Sequence, residues 1–171
     1  HTMSEVDEKL VEKEKPDAVI IATGGQPTKP NIPGIEGDHV VQAWDVFAGS
    51  VDVGKEVVVI GGGAVGTEVA AFIAKIGTIN ADTLQFLFLN NAEEFNTLIE
   101  ISTRGIKKVT LIGMMDRLAM DTGRSTRWIS LQMLSRYGVK SRTHVTAKEI
   151  TPEGVIVEAN GKREMIPCDT V

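Results

Sequence analysis

Cysteine is almost absent. Cys168 is the only one in 171 residues, which excludes an internal disulfide framework and any C-x-x-C redox pair within the chain. Excess positive charge is absent too: 18 Lys and Arg stand against 23 Asp and Glu, a formal net charge of −5. Binders of a nucleic-acid backbone need clustered basic residues, so no nucleic-acid partner is expected. No apolar run approaches the roughly 20 residues that span a bilayer, and the opening HTMSEVDEKL is no signal peptide. No membrane partner is expected, and the expected location is cytoplasmic. His39 and His144 have no Cys, Asp or Glu at metal-ligand spacing, so no metal site is expected. Asp45, Asp121 and Asp169 form no readable catalytic constellation.

What remains is ordinary globular composition, with 42% hydrophobic and 24% charged residues. His1-Thr2-Met3 reads as an expression-tag remnant, and Cys168-Asp169-Thr170-Val171 stops within strand-like sequence, as an excised piece would. Asp17–Thr23 (DAVIIAT) is a continuous apolar run closed by Gly24-Gly25, the pattern of a strand buried on both faces. Then follows a stretch dense in Pro27, Pro30, Pro33, Gly34 and Gly37, which neither helix nor central strand tolerates. Gln42–Ala48 suits a short helix with Trp44 and Phe47 on one face.

Lys55–Ile60 is a second buried-strand pattern. It runs into a helix on which Val65, Val69, Phe72, Ile73 and Ile76 keep helical spacing, with Gly77 as its stop. Two short helices are predicted at 83–89 and 92–102, a third strand at 107–112, and a helix at 125–137 ended by Gly138. From Val139 onward, short β-type runs are punctuated by Pro152-Glu153-Gly154 and Asn160-Gly161. Asn-Gly between two such runs marks a hairpin, so a three-stranded antiparallel meander from about Val139 is expected.

The chemistry lies between the second strand and its helix. Gly61-Gly62-Gly63-Ala64-Val65-Gly66 matches G-x-G-x-x-G. Gly61 permits the tight turn, Gly63 lets the backbone approach a pyrophosphate, and Gly66 lets the helix pack closely on its strand. The helix N-terminus then offers unpaired N–H groups and a positive dipole end to the phosphates. The usual companion is an acid about 20 residues on, which binds the ribose hydroxyls. Here the next strand begins only at Lys107, so about 25 to 30 residues are inserted relative to a short unit. The acid's place is then taken by Gly113, followed by Met114, Met115, Asp116 and Arg117. Arg117 has two readings: a partner for a 2′-phosphate, or an ordinary solvated cation. Glu68 has two as well, an approach to the nicotinamide side or a helix-dipole partner. Cys168 reads as a buried small hydrophobe.

VVVIGGGAVGTEVAAFIA followed by KKVTLIGMMDRLA resembles the nicotinamide-binding domain of two-dinucleotide flavoprotein reductases. PDAVIIATGGQPTKPNIPGIEG, with Ala22-Thr23-Gly24-Gly25 before a P-x-x-P-x-x-P-G stretch, is similar to the passage from the FAD domain into the NAD(P) domain. The closest group is that of 2-enoate and 2,4-dienoyl-CoA reductases, old yellow enzyme-like flavoproteins with an added FAD/NAD(P) module, and the insertion resembles the 2-enoate branch. The resemblance implies an α/β Rossmann-type fold with a parallel sheet and a meander. It implies 4–50 as the tail of an FAD domain and linker, and 51–171 as the NAD(P)-binding domain with an insertion at about 78–105.

The resemblance also implies NAD(P)H, preferentially NADH, held by Gly61, Gly62, Gly63, Ala64, Val65, Gly66, Glu68, Gly113 and Met114, with Thr23 and Gly24 on an FAD edge. A parent chain would add the rest of the FAD domain and a barrel carrying FMN and an iron–sulfur cluster. No side chain here need be catalytic, since the cofactors carry the redox chemistry. The competing readings are a nucleotide-binding regulatory module without electron transfer, which the fold permits, and a thioredoxin reductase-like enzyme, which the missing C-x-x-C disfavours.

Overall fold

The computed structural model describes residues 3–171, so His1 and Thr2 of the expected tag remnant lie outside the described residues. Two parallel strands form the centre, β1 (Glu56–Ile60) and β2 (Lys108–Ile112), in register from Glu56 opposite Lys108 to Ile60 opposite Ile112. A short third strand, β3 (Lys140–Arg142), runs parallel to β2 on its far side. The other side of β1 is taken by the C-terminal segment: Val58 N–H donates to Thr170 O, and Asp169 N–H to Glu56 O. In space the order is β3, β2, β1 and then Thr170, which follows the 3-2-1-4 part of the doubly wound strand order.

Alternation along β1 and β2 splits their side chains between two cores. Val57, Val109 and Leu111 face helices α3 (Ala64–Lys75) and α6 (Arg124–Arg136), while Val58 and Ile112 face the opposite layer. Short helix α2 (Ala43–Ala48) sends Val46 into the first core. The opposite layer is the meander of β4 (Val145–Thr151), β5 (Gly154–Ala159) and β6 (Lys162–Pro167), whose Val145, Ile150, Val155 and Val157 are buried. The β5–β6 turn uses Asn160 and Gly161, both at positive φ (52° and 72°), as a hairpin that matches strand twist requires. Cys168 is buried in this core, and its thiol is pushed up by burial and by the neighbouring Asp169 charge.

Three expectations need correction. Asp17–Thr23 forms no strand: Ile20 and Ile21 are 90% and 83% exposed, and no backbone hydrogen bond ties this stretch to another segment among the described residues. Its composition demands burial, but both edges of β1 are already filled. The meander starts at Val145 and not near Val139, because residues 140–142 extend the parallel sheet. On α3 the inner face is Thr67, Val69, Ala70, Ala71, Ile73 and Ala74, while Val65 and Phe72 are exposed. Small residues let the helix lie close to the sheet, and Phe72 instead meets Phe47 edge-to-face, ring centres 5.3 Å apart.

Between α3 and β2 lie α4 (Ala81–Leu89) and α5 (Phe95–Thr103), preceded in the chain by α1 (Glu8–Glu14) far upstream. The excursion is pinched at its neck. Ile79 N–H donates to Ile101 O at 3.0 Å, and Ile106 N–H to Ile76 O at 2.9 Å. A Cβ at Gly105 would fall 2.4 Å from both Ala74 O and Ile76 O, so only glycine permits this closure. The sheet therefore accommodates this excursion without a break in β1–β2 register.

Asp169 holds the C-terminal segment against β1. Its carboxylate accepts from Lys55 N–H at 2.8 Å and from Glu56 N–H at 3.2 Å. Burial pushes its pKa up, but the Glu56 and Lys55 N–H groups and the Thr170 hydroxyl outweigh that, and the net shift is downward. A carboxyl with a depressed folded pKa contributes stability that is complete above its unfolded value near 3.9 and is lost as pH falls through the folded value. Asp169→Asn should therefore lower the melting temperature by a constant amount above about pH 5, with the gap to wild type closing in more acidic solution. Thermal melts of both proteins from pH 7 to 3 check this; a gap independent of pH contradicts it.

Candidate functional site

β1 ends at Ile60, and the next residue turns the chain with φ +123°, a conformation that favours glycine. Gly61 N–H still donates to Ile112 O at 2.9 Å, so the turn starts from the sheet itself. α3 then begins at Ala64 with Gly63 as N-cap and no side-chain cap of its own. Gly66 sits one turn in, where a Cβ would lie 1.8 Å from Gly61 O. The glycine is thus what lets the helix return over the turn. Thr67, fully buried, donates its hydroxyl to Gly63 O at 3.0 Å and Ala64 O at 2.8 Å, fastening the first turn from inside.

The consequence is a cluster of backbone donors. The N–H groups of Gly62, Gly63, Val65 and Gly66 have no partner among the described residues, and they sit at the positive end of a twelve-residue helix. α3 carries no acidic residue in its first turn. The chemistry of this donor set fits an anion that bridges several N–H groups, as a pyrophosphate does.

Two cavities flank the turn and share Gly61, Gly63 and Asp121. One, of about 460 Å³, runs along Gln42, Trp44, Val65 and Val171. The other, of about 660 Å³, is lined by Gly113, Met114, Met115, Arg117 and Met120. Both lie within the range of small-molecule pockets. Gly113 is buried at the end of β2 and beside the glycine turn, its ideal Cβ 3.2 Å from Gly62 Cα. That is where the ribose-binding acid of the fold would stand. Arg117 is exposed and lies 3.8 Å from Asp116.

The structure thus brings Gly61–Gly66, Gly113 and Met114 together. It does not bring in Glu68, which is exposed and lines neither cavity, nor Thr23 and Gly24, which lie in the exposed N-terminal stretch. In their place Thr28 and Pro30 reach both cavities.

Sequence reasoning missed Asp121. Its carboxylate accepts from Ala64 N–H at 2.8 Å, capping α3 from 57 residues away. The loop that carries it packs on the glycines: Ala119 N–H donates to Gly62 O at 2.7 Å, and a Cβ on Gly62 would meet Leu118 Cδ2 at 2.6 Å. No local spacing announces such a contact. A signal would have been the absence of any acid in the first turn of α3 together with Asp-Thr-Gly before α6.

The family model described as pyridine nucleotide-disulphide oxidoreductase matches residues 2–171. A metal reductase of Desulforamulus reducens is 42% identical over 161 residues, covering 94% of this chain and 24% of the relative. An NADH oxidase of Thermoanaerobacter brockii is 34% identical over 170 residues, covering 96% and 22%. Among solved structures, a 2-naphthoyl-CoA reductase complex superposes with a TM-score of 0.65 at 26% identity, over 98% of this chain and 21% of the other. The chain spans less than a quarter of the length of these relatives. No helix among the described residues is long and apolar enough to cross a membrane.

Proposed function

The chain belongs to the pyridine nucleotide-disulphide oxidoreductase family, whose members bind FAD and NAD(P)H, and we propose that it is the NAD(P)H-binding part of a larger flavin-dependent reductase acting on conjugated enoates. The observation that carries this reading is the set of unpartnered N–H groups of Gly62, Gly63, Val65 and Gly66 at the start of α3. Those groups hold the pyrophosphate. The cavity with Gly113 and Met114 takes the adenosine half, and the cavity with Val65 and Val171 takes the nicotinamide half. When bound, the nicotinamide supplies a hydride and the flavin receives it. The residues here bind and orient; none is asked to move a proton.

Residues 4–50 are assigned to the FAD-domain edge and linker, and the exposed Val19-Ile20-Ile21 run is the part of that edge awaiting cover. FMN and an iron–sulfur cluster belong to the barrel of the parent, where the enoate is reduced. The names of the relatives support reduction by a nicotinamide cofactor and, in the 2-naphthoyl-CoA reductase, a conjugated acyl thioester as substrate. The parent enzyme, mixed anaerobically with NADH, should bleach its flavin absorbance and regain it on addition of a simple enoate. Flavin that stays oxidised with NADH contradicts the hydride path; flavin reoxidised by no enoate contradicts the substrate class.

Cofactor preference follows from Gly113. Without a carboxylate at that position the usual repulsion of a 2′-phosphate from the ribose-binding acid is missing, and Arg117 lines the same cavity. NADH should be preferred over NADPH by less than about tenfold, or roughly 1.4 kcal/mol. Gly113→Glu should widen the preference mainly by weakening NADPH; its Cβ would lie 3.2 Å from Gly62 Cα, so the Gly62 backbone must give by a few tenths of an ångström. Dissociation constants for both cofactors, before and after the substitution, decide it. Wild type that rejects NADPH a hundredfold would mean another group reads the ribose.

A further inference from the structure

The same turn that offers its N–H groups to a pyrophosphate already holds an anion. Asp121 Oδ1 lies 2.8 Å from Ala64 N, and a Cβ built on Gly63 would lie 2.8 Å from Oδ2, so the carboxylate sits over the Gly63–Ala64 peptide. This is the positive end of α3, whose N-cap is a glycine and whose first turn has no acid. The loop is set against the turn by more than this one bond. Ala119, fully buried, adopts φ +53°, where non-glycine residues are strained, while donating to Gly62 O. Arg127 Nε donates to Leu118 O at 2.9 Å and ties the loop to α6. Thr122 Oγ1 is buried without a hydrogen-bond partner in this arrangement. Asp121 itself is exposed on its outer side, so its side chain has room to turn away while the Ala119 and Leu118 contacts remain.

We propose that Asp121 is a built-in competitor for the phosphates of the nucleotide: its carboxylate occupies the helix N-terminus when the site is empty and must swing into solvent for a pyrophosphate to bind. The inference rests on the glycine turn being the pyrophosphate site. The carboxylate on Ala64 N–H stands among the free N–H groups of Gly62, Gly63, Val65 and Gly66, and two anions side by side repel, so it weakens every phosphate-bearing ligand alike and leaves a phosphate-free nucleoside untouched. The device keeps the first turn of α3 capped in the empty protein and raises the cofactor concentration needed to fill the site.

The test is calorimetric titration of wild type, Asp121→Asn and Asp121→Ala with ADP-ribose, NADH, NADPH and adenosine. The expected result is tighter binding of all three phosphate-bearing ligands to both variants, by roughly tenfold at low salt, with adenosine unchanged. The gap should narrow in 0.5 M salt, about where screening falls within 5 Å. Asp121→Asn keeps an acceptor for Ala64 N–H and guards against loss of folding in the alanine variant. Weaker or equal binding of ADP-ribose by Asp121→Asn overturns the proposal and leaves Asp121 a helix cap, with the nucleotide site intact. Failure of wild type and both variants to bind NADH or ADP-ribose overturns the nucleotide reading itself, and this inference with it.

Discussion

Gly66→Ala should destabilise the protein by about 3 kcal/mol or more, although the same change at an exposed mid-helix glycine stabilises by up to about 1 kcal/mol. The sign reverses because the added Cβ would lie 1.8 Å from Gly61 O and 2.9 Å from its carbonyl carbon. Both are backbone, and Gly61 is fixed to the sheet through Ile112. Relief requires α3 to lift from β1, which opens the contacts of Val69, Ala70 and Ile73 with Val57 and Val109. For a chain of this size each kcal/mol is worth roughly 2–4 °C, so the melting temperature should fall by about 6–12 °C. Thermal unfolding followed by circular dichroism reads it directly. An unchanged or raised midpoint would mean that α3 does not pack over the turn as described.

Gly63→Val should act on binding and spare the fold. Gly63 has φ −80°, which any residue adopts, so no backbone strain opposes the substitution. The new side chain occupies the space now held by Asp121 and covers the approach to the N–H groups of Gly63 and Ala64. Charge-assisted hydrogen bonds contribute about 1.5–3 kcal/mol each, so losing two should weaken NADH by roughly 10²- to 10⁴-fold. The measurement is the NADH dissociation constant of each protein by fluorescence titration, with circular dichroism confirming that the variant is folded. A folded variant that binds NADH as wild type does would remove Gly63 from the site.

The parts of the architecture that were legible are those with a local physical signature. β1 and β2 are short runs of β-branched residues, and the turn between β1 and α3 needs glycines at fixed offsets for steric reasons that hold wherever the motif occurs. The long stretch between α3 and β2 was legible by arithmetic, since no strand pattern follows α3 until Lys107. Asn160-Gly161 announced its hairpin through backbone chirality alone.

What escaped was everything set by a distant partner. Lys140-Ser141-Arg142 is too polar to suggest a strand, and it becomes one because β2 offers it an open edge. Asp17–Thr23 has the opposite history: hydrophobicity states a demand for burial without naming what will cover it. Val65 and Phe72 kept helical spacing yet remain outside, because close approach of α3 to the sheet selects alanines. Asp121 is the sharpest case, a side chain whose role depends on a contact 57 residues away in sequence.

The most direct test of the account is to follow the backbone amide resonances of the isotopically labelled protein as NADH is added. Binding of the pyrophosphate at the start of α3 predicts that Gly62, Gly63, Ala64, Val65 and Gly66 move first and furthest, with Gly113 following, and that ADP-ribose reproduces the pattern. Saturating NADH that leaves these amides in place, whether it moves others or none, would contradict the assignment of this turn as the dinucleotide site.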